Sequence, residues 1–567
     1  MSIDAPRSPS AQGPSPWWSV VGVLACLGSG VALWAAIFAP GWRWLAWIAL
    51  VPYAWLLSPR TPAAAAYGGA FLGSAVFHML GLWWICACLE GVLAAVWFWL
   101  TLTAAVCFLG LTFLGRVLTR RTGWPMAVVL PLVWVTWEYV RHQGFALVDG
   151  GGFPLLWLGL ALAGSTHFAQ IADFGGVLAL TWLAATVNGG VFDALLNLLG
   201  RRAERRPRAA IVSAGAAVVC LAAAWLYGQW RLSQPLEPPG PTVALVAGTV
   251  LGEGNLLGLG ELPPSARRLA AGTEDSAEHG LPDTIDLFVW PEAAFAEPVS
   301  ALAMPRGQGA QSPPDKGVQT LQAIARSLGA PVLIGAMRRR EIPTPQNVNL
   351  YNSFLYVSGE EGLLGVYDKC HLIPCMEFPP KLMKWLGSLG LAPLAGAAGW
   401  EGLRPGSEAK AFLLQAADGR RQFRVGATLC YDVFFPDVHR RYLANGQTGS
   451  PDLFVCGLNE CFDRTGMVAR LSFLHTRLRA IEFRRPYFRA SRGGVSAAVD
   501  SCGRVVAQAS ERAGEPLAIV AQVAGDSRRT IYSTCGDWLG LAASAVVIGI
   551  AVLSCARRLF TPIRRFR

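Results

Sequence analysis

A cysteine, a glutamate and a lysine, each at the polar end of a short apolar run, are the residues of this chain best suited to covalent chemistry. Cys430 follows Phe423-Arg424-Val425-Gly426-Ala427-Thr428-Leu429, Glu292 follows Ile285-Asp286-Leu287-Phe288-Val289-Trp290-Pro291, and Lys369 follows Leu363-Leu364-Gly365-Val366-Tyr367-Asp368. Such runs read as buried strands, and a side chain at a strand end meets a reactant while its backbone stays fixed. A thiol attacks once a base has taken its proton. Glu292 in a low-dielectric pocket supplies that base, and Lys369 supplies positive charge for a tetrahedral intermediate. Acyl transfer through a thioester is therefore the chemistry this trio predicts. Carboxylate and ammonium also limit the cost of taking three titratable groups out of water, and they titrate as a coupled pair. Singly, each residue has a plainer reading: a strand-end cysteine is most often structural, and a strand-edge Glu or Lys is usually solvated.

Composition sets where such a site must operate. The chain has 567 residues, 53% of them hydrophobic, and a mean hydropathy of +0.39. Long apolar runs account for the excess, which predicts a membrane protein. The formal charge is +11, but much of the arginine sits in short clusters beside apolar runs, which argues against a nucleic-acid partner. Lys316, Lys369, Lys381, Lys384 and Lys410 are the only lysines, so Lys369 stands where a group able to change protonation state was used in place of arginine. The thirteen cysteines follow neither a CxxC pattern nor a zinc spacing, so no metal and no cofactor is expected. Cys26, Cys86, Cys88, Cys107 and Cys220 read as small apolar groups within membrane runs, and Cys370 and Cys375 are near enough in sequence to pair.

Polar residues 1–15 predict a disordered cytoplasmic tail, and a transmembrane domain of about seven helices occupies 16–230. Its spans fall near 18–38, 41–57, 65–84, 87–113, 122–141, 171–198 and 208–228, the first a retained anchor; another follows at 538–554. Arg60, the group Arg116, Arg120 and Arg121, the group Arg201, Arg202, Arg205, Arg206 and Arg208, and the basic tail 555–567 all fall on one side if seven helices precede the hydrophilic middle. The positive-inside bias makes that side cytoplasmic and turns the middle domain outward. Residues 150–165, broken by glycine, suggest an interfacial or re-entrant piece with Trp157 at the headgroup boundary, and Glu138 with Arg141 suggest a structural pair or a headgroup contact.

From 240 to 530 the pattern changes to short strand-like runs, at 241–248, 285–290, 331–336, 351–358, 363–367, 423–429, 452–456 and 495–499. Helical segments fit at 316–328 and 465–483, giving an alternating α/β domain. Residues 255–282 and 302–315 read as surface loops, and the apolar stretch 378–391, with Met383 and Trp385 among interspersed lysines, as a lipid-facing flap or a piece of core.

The chain resembles the apolipoprotein N-acyltransferases, bacterial membrane enzymes with a carbon-nitrogen hydrolase (nitrilase-like) domain. The likeness rests on Val289-Trp290-Pro291-Glu292-Ala293-Ala294, the stretch from Tyr367-Asp368-Lys369 to Met376-Glu377, Cys430-Tyr431-Asp432, Arg479-Ala480-Ile481-Glu482-Phe483-Arg484-Arg485-Pro486, and Arg489-Ala490-Ser491-Arg492-Gly493-Gly494. It implies a polytopic helical membrane domain joined to an αββα sandwich, with Cys430 as nucleophile, Glu292 as general base, Lys369 as catalytic lysine and Glu377 as a supporting carboxylate. Tyr431, Asp432, Trp385, Met383, Asn459 and Phe462 become residues expected at or behind a substrate pocket. The implied partners are a phospholipid acyl donor and a diacylated apolipoprotein acceptor, and the implied place is a bacterial inner membrane with the catalytic domain facing the periplasm.

Departures from the family pattern fall around the trio. Asp432 stands where Glu is usual, Asn459-Glu460-Cys461-Phe462-Asp463-Arg464 replaces an Asn-Asp-Ala-Trp-Phe-Gly stretch, Leu474-His475 replaces Gln-His, and Arg492 replaces an Asn. These leave open a membrane-tethered amidase or acyltransferase acting on another lipid or amine, and a catalytically silent membrane scaffold.

Overall fold

The computed structural model describes residues 16–88, 92–149, 152–199, 207–247, 284–300, 315–341, 348–389, 401–444, 449–510 and 517–560. The expected tail at 1–15, the loops at 255–282 and 302–314, and residues 561–567 of the basic tail lie outside these.

The first half is a bundle of α1 (Pro16–Phe38), α2 (Val51–Leu57), α3 (Ala63–Gly81), α4 (Trp83–Cys88), α5 (Val92–Thr122), α6 (Met126–Asp149), α7 (Ala172–Leu199) and α8 (Pro207–Leu232). With the C-terminal helix Trp538–Phe560, six helices among the described residues are long and apolar enough to cross a membrane. The span expected at 41–57 is instead a tight 3-10 turn, Pro40–Trp47, followed by the short α2. Pro40 and Pro52 remove donors that a continuous helix needs. Asn188 on α7 repairs the break, donating to Ala46 O and accepting from Leu50 N, both at 2.7 Å. Irregular backbone survives at membrane depth only with such internal partners.

The expected fifth span, α6, carries Glu138 and Arg141, which do not pair with each other. Glu138 accepts from Leu158 N at 2.7 Å, Thr181 Oγ1 at 2.6 Å and Trp134 Nε1 at 3.0 Å, while Arg141 donates to Leu155 O at 2.6 Å. Both grip one segment, 155–158, and both act structurally. That segment is not interfacial: Trp157 is 4% exposed, so it does not mark the headgroup boundary. Of the cysteines expected to be buried, Cys26 is, whereas Cys107 lies on the outer surface of α5.

Contacts at the far end of the bundle gather its arginines. Arg116 donates to Leu56 O and Thr61 O at 2.6 and 2.7 Å, and Asp193 near the end of α7 accepts from Met126 N and from Ser213 on α8. Arg60, Arg120 and Arg121 belong to the same chain ends. The opposite end of α7 carries Asp173, which meets the α/β domain.

That domain contains β1 (Pro239–Ala247), β2 (Leu287–Val289), β3 (Phe295–Val299), β4 (Val332–Glu341), β5 (Val348–Ser358) and β6 (Gly362–Asp368), then β7 (Phe412–Gln415), β8 (Gln422–Leu429), β9 (Leu453–Asn459), β10 (Tyr487–Arg492), β11 (Val495–Val499), β12 (Val505–Ser510) and β13 (Leu517–Ala524). One sheet runs β13-β1-β2-β4-β5-β6 with β3 on β4; the other runs β12-β11-β10-β9-β8-β7. The central strands are parallel in each, β1 with β2 and β4, and β8 with β9 and β10.

Alternation along β1 shows how the layers stack. Val243 and Leu245 join a core with Val425, Ala427 and Val455 of the second sheet, while Ala244 and Val246 join another with Leu321, Ala325 and Leu328 of α9 (Lys316–Leu328). Burial on both faces explains the near-continuous apolar runs. The sheets approach so closely that a Cβ on Gly457 would stand 2.4 Å from Phe354 Cζ. After α10 (Lys381–Ser388) come α11 (Pro436–Ala444) and α12 (Met467–Phe483), which cover the second sheet, with His439 ringed against Phe454 and Tyr487. The result is the four-layer αββα sandwich.

Little of α12 faces water, because its outer side rests on the membrane bundle. Arg470 donates to Ile37 O at 2.8 Å, and Gln170 donates to Cys502 O at 2.9 Å. The main tie is Asp173, 1% exposed, which accepts from Arg484 at 2.7 Å, Arg231 at 2.6 Å and Tyr227 at 2.6 Å. Two buried guanidinium groups lose their shared counter-charge when it is removed. Asp173→Ala is therefore expected to destabilise the protein by about 3–5 kcal/mol, read as a lowered Tm of the detergent-solubilised chain and faster proteolysis between bundle and sandwich; an unchanged Tm would contradict this account of the joint.

Candidate active site

The apolar strand β8 ends at Leu429, and the chain then turns through the short 3-10 segment Cys430–Phe434. Cys430 takes a φ of 44°, in the left-handed region that a residue with a Cβ seldom adopts. Asp432 holds this turn. Its carboxylate accepts from Leu429 N at 3.1 Å, Tyr367 Oη at 2.7 Å and His371 N at 2.7 Å, binding the nucleophile turn to the segment around Lys369. Burial raises its pKa and these donors oppose the rise. The shorter acid thus serves as a brace between strand ends and does not point its charge at a reactant.

Lys369 lies one residue beyond β6 and is 1% exposed. Its Nζ donates to Glu292 Oε1 and to Glu377 Oε1, each at 2.9 Å. Asn352 on β5 doubles this bridge, its Nδ2 standing 2.6 Å from Glu292 Oε1 and 3.0 Å from Glu377 Oε1. The remaining carboxylate oxygens take backbone donors: Asn459 N reaches Glu292 Oε2 at 3.2 Å, and Ile373 N reaches Glu377 Oε2 at 2.7 Å. The Cys430 thiol lies within electrostatic reach of Glu292, Lys369 and Glu377.

Electrostatics fix the resting protonation of the pair that matters. Burial drives the Cys430 pKa well above its usual 9.0, Glu292 adds to the rise, and Lys369 opposes it. Burial pulls Lys369 down, but the Glu292 and Glu377 carboxylates outweigh that and hold the ammonium well above its ordinary range. Burial thus favours the protonated Cys430 thiol beside Glu292, and the flanking Glu292 and Glu377 favour the charged Lys369 ammonium. A protonated thiol becomes a nucleophile only when a neighbouring base takes its proton.

The six residues expected at the pocket divide. Asn459 enters the site through its backbone N–H. Tyr431 packs on Phe434 and Phe435, at 5.5 and 5.0 Å between ring centres. Phe462 meets Trp84 of α4 at 6.4 Å, linking the site's rim to the membrane bundle. The expected flap is the amphipathic α10, packed on α6, and its Trp385 is 58% exposed. Met383 turns inward, its Sδ 3.4 Å from Cys375 Sγ, and no disulfide joins Cys375 to Cys370. Glu460 and Asp463, within the divergent stretch, are structural: Glu460 accepts from Arg489 at 2.5 Å and Ser491 at 2.6 Å, and Asp463 accepts from Val468 N at 2.6 Å at the start of α12. Cys461 is exposed beside them, and Arg492 contributes its backbone carbonyl to Glu460 N at 2.8 Å.

Asn352 and Tyr367 escaped sequence reasoning. A polar residue in the otherwise apolar run Phe354-Leu355-Tyr356-Val357 and its approach was the available signal for Asn352, since a buried amide needs partners.

The family model for the apolipoprotein N-acyltransferase N-terminal domain matches residues 29–190, and that for carbon-nitrogen hydrolase matches residues 268–532. The chain is 27% identical to the apolipoprotein N-acyltransferase of Gloeobacter violaceus over 559 residues, covering 94% of each protein. It is 27% identical to that of Geobacter metallireducens over 551 residues, covering 93% of this chain and 95% of the other. Among solved structures, an amidase from Nesterenkonia sp. AN1 is 17% identical, with 53% of this chain and 96% of that one covered at a TM-score of 0.31. The two family models fall in order on the two halves seen here, the bundle and the sandwich, and the relatives run nearly end to end with the chain, which places it in the apolipoprotein N-acyltransferase family and makes it an enzyme of acyltransferase type.

Proposed function

We propose that this protein moves an acyl chain from a membrane phospholipid to the free α-amine of a diacylglyceryl-cysteine at a lipoprotein N-terminus, through a thioester on Cys430. The observation that carries this reading is the buried cluster in which Lys369 bridges Glu292 and Glu377 at 2.9 Å each with Cys430 within electrostatic reach, in a sandwich joined directly to a membrane bundle. Relatives along almost the whole chain bear the name of that activity.

In the first half-reaction Sγ attacks the ester carbonyl as its proton passes to Glu292. Lys369 and the backbone N–H groups beyond Cys430 are the donors for the oxyanion. The ester C–O bond breaks, and lysophospholipid leaves with the proton from Glu292. In the second, the lipoprotein amine attacks the thioester, gives its proton to Glu292, and the amide forms as Cys430 regains its thiol. Substrates that enter from the bilayer keep their chains out of water, which otherwise costs about 0.8 kcal/mol per CH₂. The inner membrane of a bacterium, with the sandwich toward the periplasm, is the corresponding location; arginines gathered at the opposite end of the bundle support that orientation.

Three outcomes test the reading. Incubation with phospholipid should add one acyl mass to Cys430, and later addition of a diacylated lipopeptide should remove it with formation of a triacylated product. Cys430→Ala should show neither; an adduct that forms but never reaches the lipopeptide would favour an amidase or another acyl acceptor. Glu292→Gln should slow adduct formation by at least about 100-fold, and Lys369→Met by a similar 100- to 1,000-fold as oxyanion support is lost, measured by quenched-flow mass spectrometry. As the thiol pKa is raised, thiolate absorbance assigned to Cys430 (wild type minus Cys430→Ala) should stay absent as pH rises from neutrality toward 9.0; a thiolate plateau at neutral pH would show that Lys369 outweighs burial.

A further inference from the structure

Beside α11 lies a cavity of about 470 Å³, lined by Arg440, Arg441, Arg485, Arg528 and Arg529. Asp437 is the one carboxylate in its lining. It pairs with Arg441 at 2.7 Å, and Arg528 pairs with Asp526 at 2.5 Å. The other three arginines make no ion pair among the described residues. Arg485 spends its donors on backbone carbonyls, including Pro451 O at 2.6 Å and Asp526 O at 2.7 Å. Arg440 reaches Thr534 O at 3.2 Å, and its buried Nε has no hydrogen-bond partner. A lining of five arginines and one carboxylate, with an unsatisfied donor, is a setting that anion oxygens complete.

Position selects among anions. Ser533 and Thr534 of the cavity belong to α13 (Ile531–Cys535), which immediately precedes the C-terminal membrane helix α14 (Trp538–Phe560). A Cβ on Gly536, between them, would stand 2.3 Å from Arg440 Nη1, so the guanidinium lies flat over the entry to α14. Trp538 donates to Phe174 O at 3.0 Å, an aromatic placed as at a membrane boundary. Just beyond, Phe174, Ile531 and Leu541 are 42%, 49% and 61% exposed. Cations thus stand directly above an exposed apolar band. A soluble anion or an acidic peptide would use the charge alone, whereas a lipid uses both.

We propose that this cavity binds the headgroup of an anionic phospholipid in the leaflet on the sandwich side, with its chains along α14. None of its lining residues belongs to the Cys430 site, so this is an accessory lipid and not the acyl donor; the inference is independent of the reaction assigned to Cys430. Because α11 begins just after the turn Cys430–Phe434, a bound headgroup braces the element that follows the nucleophile.

The full-length protein, purified in mixed micelles, tests this by native mass spectrometry with phosphatidylglycerol, phosphatidylethanolamine and inorganic phosphate as probes. Phosphatidylglycerol should be retained selectively, and the double variant Arg440→Gln, Arg529→Gln should weaken that retention on the order of thirty-fold, two cations' worth, without changing phosphatidylethanolamine. Photoactivatable phosphatidylglycerol on the wild-type protein should crosslink to 436–444 and 528–541, a result that stands even if the double variant misfolds. Equal retention of both lipids, crosslinks elsewhere, or displacement of the lipid by equimolar inorganic phosphate or an acidic peptide would each overturn the proposal.

Discussion

The ammonium of Lys369, shut away from water between two carboxylates, is the constraint to which the rest of the structure answers. A single buried cation is costly, and Glu292 and Glu377 on either side offset that cost and favour the charged ammonium. Asn352 makes this tolerable by donating to both acids, and backbone donors from Asn459 and Ile373 take the outer oxygens. Those contacts come from within β5, from the ends of β6 and β9 and from the loop after β2, so both sheets contribute to the cluster.

The membrane half solves the same problem with different partners. Polar side chains there, Glu138, Arg141 and Asn188, are spent on backbone groups of irregular segments, where no water is at hand to satisfy them. Asp173 extends the device across the joint, neutralising one arginine from the bundle and one from the sandwich.

Much of this was legible in the sequence, and the exceptions share a cause. Strand stretches buried on both faces, such as residues 243–247 and 425–429, announce themselves as near-continuous apolar runs. Tyr487–Arg492 does not, because Arg489 and Ser491 interrupt it, and both donate to Glu460, just beyond the end of β9. Val505–Ser510 alternates between exposed and half-buried positions and offers no strong apolar signal. In the bundle, the proline-broken entry into α2 reads as a span by composition alone; its irregularity depends on Asn188, far along the chain. The cluster of Cys430, Glu292 and Lys369 was readable because each member ends an apolar run, whereas the clamp role of Asp432 depends on donors from Tyr367 and His371. Trp157 misled for a simple reason: tryptophan favours headgroup depth on average, but its Nε1 here finds Pro154 O inside the protein.

The helix Met467–Phe483 lacks a wet side. Its inner surface covers a sheet and its outer surface lies on the bundle, so one layer of side chains belongs to both halves at once. An αββα sandwich cut free at residue 240 would show that outer surface to solvent, along with Arg484 stripped of Asp173. The two halves consequently share one layer of packing across two solvents, and the sandwich cut free would show water a surface built to be covered.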